Sequence, residues 1–400
     1  VNGPTKLAAP LLVALGVAAC NPGGSFSVPG GAGQTVGQSA SSYLEATGFR
    51  RLCVDTRAGY LNCDVLLKTQ IEPGVPGFTP ADFRAAYGLP SKTKGSGQIV
   101  AIVDAFDDPK VASDLKVYRE NFGLGTAKFS KFNQLGQKKN YPSRCPGSQL
   151  GWCLEIDLDV EMVSAVCPKC AIWLFEADTN NSNDLYAAVA RAAKMGAHII
   201  SNSYGGGGGS ASYGDFAKSG VTYLASAGDG GYGMQDPADY ATVVSVGGTE
   251  LSKKGAKYTE RIWPSSGGGC SVVSKPSWQH DPKCAERTGN DVSAVADNVA
   301  EYNTFPYGGW ILVGGTSVGS PLLGGVYALA GNAKSRQSGK SFWTLDNQNR
   351  DKYLHAITVG SVSGCPPSVR GTYLCRAGTG QYKTYSGPGG WGTPKGIGAF

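Results

Sequence analysis

From residue 98 onward, short apolar runs alternate with helix-like stretches, and this alternation limits what the chain can become. Residues 98–103, 171–175, 198–200, 221–224, 241–246 and 310–313 read as strands. Short runs with little polar alternation mark strands buried on both faces. Ser182 stands as a cap before Leu185, Val189 and Ala192, with a stop at Gly196. A second helix is expected over 321–330. The pattern predicts an α/β fold, with a mostly parallel central sheet flanked by helices on both faces. Ligands of such sheets bind beyond the carboxyl ends of the strands, so the loops just after them are where chemistry is sought.

Composition closes off other classes. Of 400 residues, 41% are hydrophobic and 16% charged, against roughly 25% charged in an average soluble protein. A disordered chain needs the reverse balance. No apolar run reaches the ~18 residues of a spanning helix, which excludes a polytopic membrane protein. The net charge of +6 is mild and demands no acidic partner. Lys128, Lys131, Lys138, Lys139 and Arg144 form a basic stretch. It is expected to be a solvated face, not a nucleic-acid site.

Lys6 precedes the apolar residues 7–19, which end in small side chains before Cys20. A cation, a short apolar core and small residues make a secretory signal, so export is expected. Val17-Ala-Ala-Cys20 is similar to a bacterial lipobox. Cys20 would then carry lipid and tie the protein to the cell envelope; the alternative is plain cleavage and secretion. The expected organisation is a signal over 1–20, then a Gly/Ser/Pro-rich tether with a short disulfide-closed segment over 21–77, then one domain over 78–400. Without Cys20, ten cysteines remain and fall into close neighbours: 53/63, 145/153, 167/170, 270/284 and 365/375. In an oxidising compartment these read as five local disulfides. Cys167-Pro-Lys-Cys170 has no second such pair, and the chain holds only 3 His, so no zinc or redox role is assigned to it.

Three loops stand out. Gly314-Gly-Thr-Ser317 leads from a strand into a helix, where amide donors favour an alkoxide or a developing oxyanion; a plain N-cap is the bland alternative. Ala225-Ser-Ala-Gly-Asp229 follows another strand and is either an ordinary glycine turn or a placed acid. Glu155 and Asp159 would share one face of a helix and titrate as a pair. Yet Ile156, Leu158, Val160 and Met162 alternate with acids, which locally looks more like a strand with a wet face.

Gly-Thr-Ser-x-x-x-Pro321 after a strand resembles the nucleophile turn of subtilisin-like serine peptidases. His198, His280 and His355 stand in no catalytic context, and an acidic base would explain that. Taken with 86–90, 97–109, 155–162, Ser201-Asn-Ser-Tyr-Gly-Gly206 and 291–297, the chain resembles the sedolisins, the serine-carboxyl peptidases, from about Phe78 to Phe400. The resemblance implies a subtilisin-like fold and an endopeptidase working through an acyl-enzyme. Ser317 would be the nucleophile, Glu155 its general base and Asp159 the residue orienting Glu155. Asp229 would be the oxyanion-hole acid, assisted by the Ser317 amide. Asp104 occupies a strand like that of the subtilisin Asp but is no triad member in sedolisins. Ser203, Tyr204, Gly205 and Gly206 would form the edge that pairs with substrate backbone, where glycine permits close approach.

A carboxylate base remains useful at low pH, and Asp229 can donate a hydrogen bond only while protonated, so acidic operation is expected. Two departures bear on the resemblance. The stretch between Cys20 and Phe78 is too short for a sedolisin's long folded pro-segment, so folding is expected to proceed unassisted or with a partner. Sedolisins bind calcium through two Asp side chains, where this chain carries Ala356 and Ser386; no metal or other cofactor is therefore expected. Partners are expected to be protein or peptide substrates, with the membrane met only through lipid on Cys20, and the protein a monomer. The rival reading is a catalytically inactive, peptide-binding envelope lipoprotein on the same fold.

Overall fold

The computed structural model describes residues 39–69, 74–206, 213–379 and 384–400. The proposed signal, Cys20 and the tether up to residue 38 lie outside the described residues, as do Gly207, Gly208 and Gly209.

The apolar runs become strands. In the central sheet the order is Lys257–Ile262, Val243–Lys254, Thr222–Ser226, Ile199–Asn202, Ile99–Ala105, Ala171–Ala177 and Lys128–Asn133, with Val292–Val295 also paired to Val243–Lys254. All neighbours are parallel except Lys257–Ile262, which is antiparallel. Ile102, Val103, Ile200 and Leu224 are fully buried, as continuous apolar strands require. The basic stretch supplies the edge strand Lys128–Asn133, and Lys131 is drawn inward to pair with Asp107 and, at 3.2 Å, with Glu176.

Helix Ser182–Lys194 packs on the strands and is capped by Asn181, whose side chain accepts from the Asn183 amide, not by Ser182. Helices Gly151–Val166 and Gly319–Ala330 pack on each other and on the sheet. The run 310–313 belongs elsewhere than expected. Gly309–Gly314 lies in a separate four-stranded antiparallel sheet with Phe49–Arg51, Leu66–Lys68 and Val299–Asn303.

The ordered body also begins well before Phe78. Residues 40–69 hold a helix and three strands, and two of those strands pair with the rest of the chain. The shortness of these elements, after a glycine- and serine-rich stretch, hid this; they bury Leu44, Phe49, Leu61, Val65, Leu66 and Leu67. The five cysteine pairs are joined as expected. Among the described residues, no helix is long and apolar enough to cross a membrane.

Candidate active site

Strand Gly309–Gly314 ends at Gly315, whose φ of 120° is a conformation that side chains rarely adopt. Thr316–Val318 make one tight turn, and helix Gly319–Ala330 starts directly after it. Ser317 is thereby fixed between a strand and a helix, fully buried.

Glu155 and Asp159 lie on helix Gly151–Val166, so the strand-like reading of this segment is overturned. The helix has no wet face; all of its residues are buried. That is why apolar residues fill every direction and a helical period could not be seen. Glu155 and Asp159 sit one turn apart on one side. Asp157 and Glu161 are turned about 200° from them, toward strand Val299–Asn303. Two disulfides pin the start of this helix: Cys145–Cys153 carries one end within it, and Cys53–Cys63 lies against Gly151.

The acids near Ser317 are held in a dry environment. Asp159 Oδ1 accepts from Ser203 Oγ at 2.7 Å, and that hydroxyl lies 3.5 Å from the Ser317 carbonyl oxygen. Burial drives Glu155 well above the usual carboxylate range, and the charges of Asp159, Asp104 and Asp64 push it further, while the neighbouring Ser317 hydroxyl works against the rise. Burial, followed by Asp104, raises Asp159 in the same way. Neither Glu155 oxygen nor Ser317 Oγ makes a well-formed hydrogen bond within the protein, which leaves both available to a reacting group. Asp104 adjoins the pair, and burial pushes it up to about 8. It is therefore neutral in acid and weighs on the pair only once ionised.

Asp229 follows strand Thr222–Ser226. Its Oδ1 accepts from the Thr316 amide at 2.8 Å and from Thr316 Oγ1 at 2.9 Å. Its Oδ2 has no partner. Burial pushes Asp229 up to about 6, against the opposing pull of Arg51 and the Thr316 donors. Tyr204 turns inward, donating to Asn202 Oδ1 at 2.8 Å and packing on Trp152, so only its backbone faces the cleft.

The cleft edge at Tyr204–Gly205 is paired with the chain's own Asn62–Cys63. Asp64 and Arg51, which face the site from this segment, were missed from the sequence, as were Thr316, Ser226 and Gln235. The apolar Val65-Leu-Leu67 run beside Cys63 was the available sign that a strand approaches here.

The calcium positions do not suit a hard cation. Ala356 has no side-chain oxygen, and Ser386 Oγ accepts from the Gly389 amide at 3.1 Å. Among the described residues no group of three or more His, Cys, Asp or Glu could hold a metal ion.

Residues 147–389 match the sequence profile of the subtilase family. Kumamolisin from Bacillus sp. (strain MN-32) is 28% identical over 326 residues, or 71% of this chain. Sedolisin from Pseudomonas sp. (strain 101) is 30% identical over 209 residues, or 44% of this chain. The matched stretches span 57% of the first relative's length and 34% of the second's. Among solved structures, Pseudomonas sedolisin, a serine-carboxyl proteinase complexed with two molecules of pseudo-iodotyrostatin, aligns with a TM-score of 0.66 at 25% identity, over 80% of this chain and 96% of that one.

Proposed function

The chain belongs to the subtilase family, on its sedolisin side, and from that premise we propose an exported serine-carboxyl endopeptidase that works at acidic pH. The observation that carries the proposal is the meeting of Ser317 with the helix-borne pair Glu155 and Asp159, Glu155 raised by burial and the charge of Asp159, and Asp159 by burial and the charge of Asp104. Ser317 Oγ attacks the substrate carbonyl carbon while Glu155 takes its proton. Glu155 returns that proton to the leaving amine, and water then releases the acyl group. Asp159, anchored by Ser203, holds Glu155 and shares its charge. Asp229, fixed by Thr316 through one oxygen, offers the other to the oxyanion as a protonated donor. Because Asp229 titrates at about 6, the donor is present below that pH and lost above it.

The test is casein turnover at pH 3–5 by the native protein and by Ser317→Ala. The variant is expected to fall to background; equal rates would end the nucleophile assignment.

Export through residues 1–20, with lipid on Cys20, belongs to the same proposal, as do a monomeric state and the absence of a nucleic-acid partner. Mass spectrometry of the mature N-terminus reads the first two. Calcium is given no part. A chelator is expected to move the melting temperature by less than about 2 °C, the scale of about 1.5 kcal/mol in a domain of this size. A fall of more than about 10 °C, several kcal/mol on the same scale, would restore a metal to the fold.

A further inference from the structure

The cleft holds a stretch of the protein itself in the posture of a substrate. Asn62 and Cys63 lie antiparallel to Gly205 and Tyr204. The Asp64 amide donates to the Ser203 carbonyl at 3.2 Å. Leu66 and Leu67 then leave along Gly314 and Val313, on the strand that ends at the Ser317 turn. Between these two pairings the Asp64 carbonyl comes down on Gly315, so closely that any side chain there would overlap it. The unpaired Asp229 Oδ2 converges on the same glycine. The Asp64 side chain enters a buried pocket. There its Oδ2 accepts from Ser226 Oγ at 2.6 Å and from Gln235 Nε2. Backbone pairing, a carbonyl turned toward an oxyanion donor and a side chain seated in a pocket are what a scissile residue needs together.

Resting on the peptidase reading above, we propose that Asp64–Val65 is a bond this enzyme cleaves in its own chain, and that Ser226 and Gln235 form a pocket selecting aspartyl residues on the acyl side of the cut. Both pocket donors aim at one oxygen, which an acid or a carboxamide can offer and an aliphatic or basic side chain cannot. Arg51, the cation that acts on Asp64, belongs to the bound segment and not to the pocket. The pocket therefore suits the neutral acid. Asp229 and Glu155, the ionisable groups that face Asp64 from the body, also disfavour its charged form.

In the cut, a bond forms between Ser317 Oγ and the Asp64 carbonyl carbon, and the hydroxyl proton passes to Glu155. The bond to the Val65 nitrogen breaks as that nitrogen takes the proton. Water then supplies hydroxide to the acyl carbon and a proton to Ser317 Oγ through Glu155. The products are a chain ending in Asp64 and a chain beginning with the Val65 amine. The Cys53–Cys63 disulfide lies wholly on the first product and does not join the two.

The full chain, native and Ser317→Ala, is incubated at pH 4 and read by intact mass and N-terminal sequencing. A fragment beginning at Val65 is expected from the native chain and none from Ser317→Ala. Asp64→Lys is expected to slow its appearance at least about tenfold. Independently, external peptides differing only in the acyl-side residue should be cut at least about tenfold faster with Asp or Asn than with Leu or Lys. Gln235→Leu and Ser226→Ala should each narrow that preference. If the native chain digests casein yet keeps bond 64–65 intact, or cuts all the peptides alike, this inference is overturned while the peptidase reading stands. If neither casein nor bond 64–65 is cut, both fall.

Discussion

Raising the pH from 4 to 7.5 is expected to unfold the protein as well as silence it. The cause is a set of carboxyls buried with few or no cations beside them. Asp104 is pushed up to about 8, Asp108 and Asp297 to about 7 and Asp229 to about 6, each chiefly by burial. Asp157, Glu161 and Glu301 are raised by burial together with each other's charge and that of their acidic neighbours. A carboxyl whose folded pKa exceeds its unfolded value holds its proton more tightly in the native state. Its contribution is complete below the unfolded value near 4 and drains away as pH climbs toward the folded value, at about 1.4 kcal/mol per pH unit for each group. One carboxyl held near 7 therefore withdraws about 4 kcal/mol by neutrality, and a native domain holds only ~5–15 kcal/mol in all. The melting temperature should fall by more than about 20 °C over this interval. Calorimetry reads it directly, and a value that stays level or climbs would contradict the sign. Glu161→Gln keeps an acceptor for the Tyr302 amide, which now reaches Glu161 Oε2 at 3.1 Å. That variant should be little changed at pH 4 and clearly more stable at pH 7.

Two substitutions should divide the catalytic groups by the shape of their pH profiles. Glu155→Gln would remove the proposed base while preserving volume, and a loss of about 10³-fold in kcat/KM at pH 4 is expected, within the range of general acid–base contributions. Asp229→Asn should behave differently. Its carbonyl can still accept from the Thr316 amide and hydroxyl, which leaves an amide N–H where Asp229 Oδ2 now stands unpaired. That donor does not titrate. Activity at pH 4 should drop by less than about tenfold, and the decline near pH 6 should move upward or vanish in initial rates taken before unfolding. An unchanged decline would remove Asp229 from the oxyanion role.

Much of the fold was legible because parallel strands buried on both faces leave continuous apolar runs. Residues 99–105, 171–177 and 199–202 could be read almost to their ends. The Ser317 turn was legible because Gly315 answers a backbone demand that few residues meet. The Glu155 helix resisted for the opposite reason. A helix buried on every side has no polar stripe, and its acids come on two opposite faces, so the period is doubled and imitates a strand. Residues 40–69 resisted because much of their order is borrowed: Asn62–Cys63 pairs with Tyr204–Gly205, and Leu66–Lys68, besides Phe49–Arg51, pairs with Gly309–Gly314. Nothing local in Asp64 or Gln235 announces that a pocket will bring them together.

The helix from Gly151 to Val166 carries acids on both flanks, and this has a practical meaning. On the proposed mechanism Glu155 and Asp159 would govern when the protein can work, whereas Asp157 and Glu161 are expected to govern when it can be kept. An engineer seeking longer shelf life in neutral buffer should neutralise the second couple and leave the first alone.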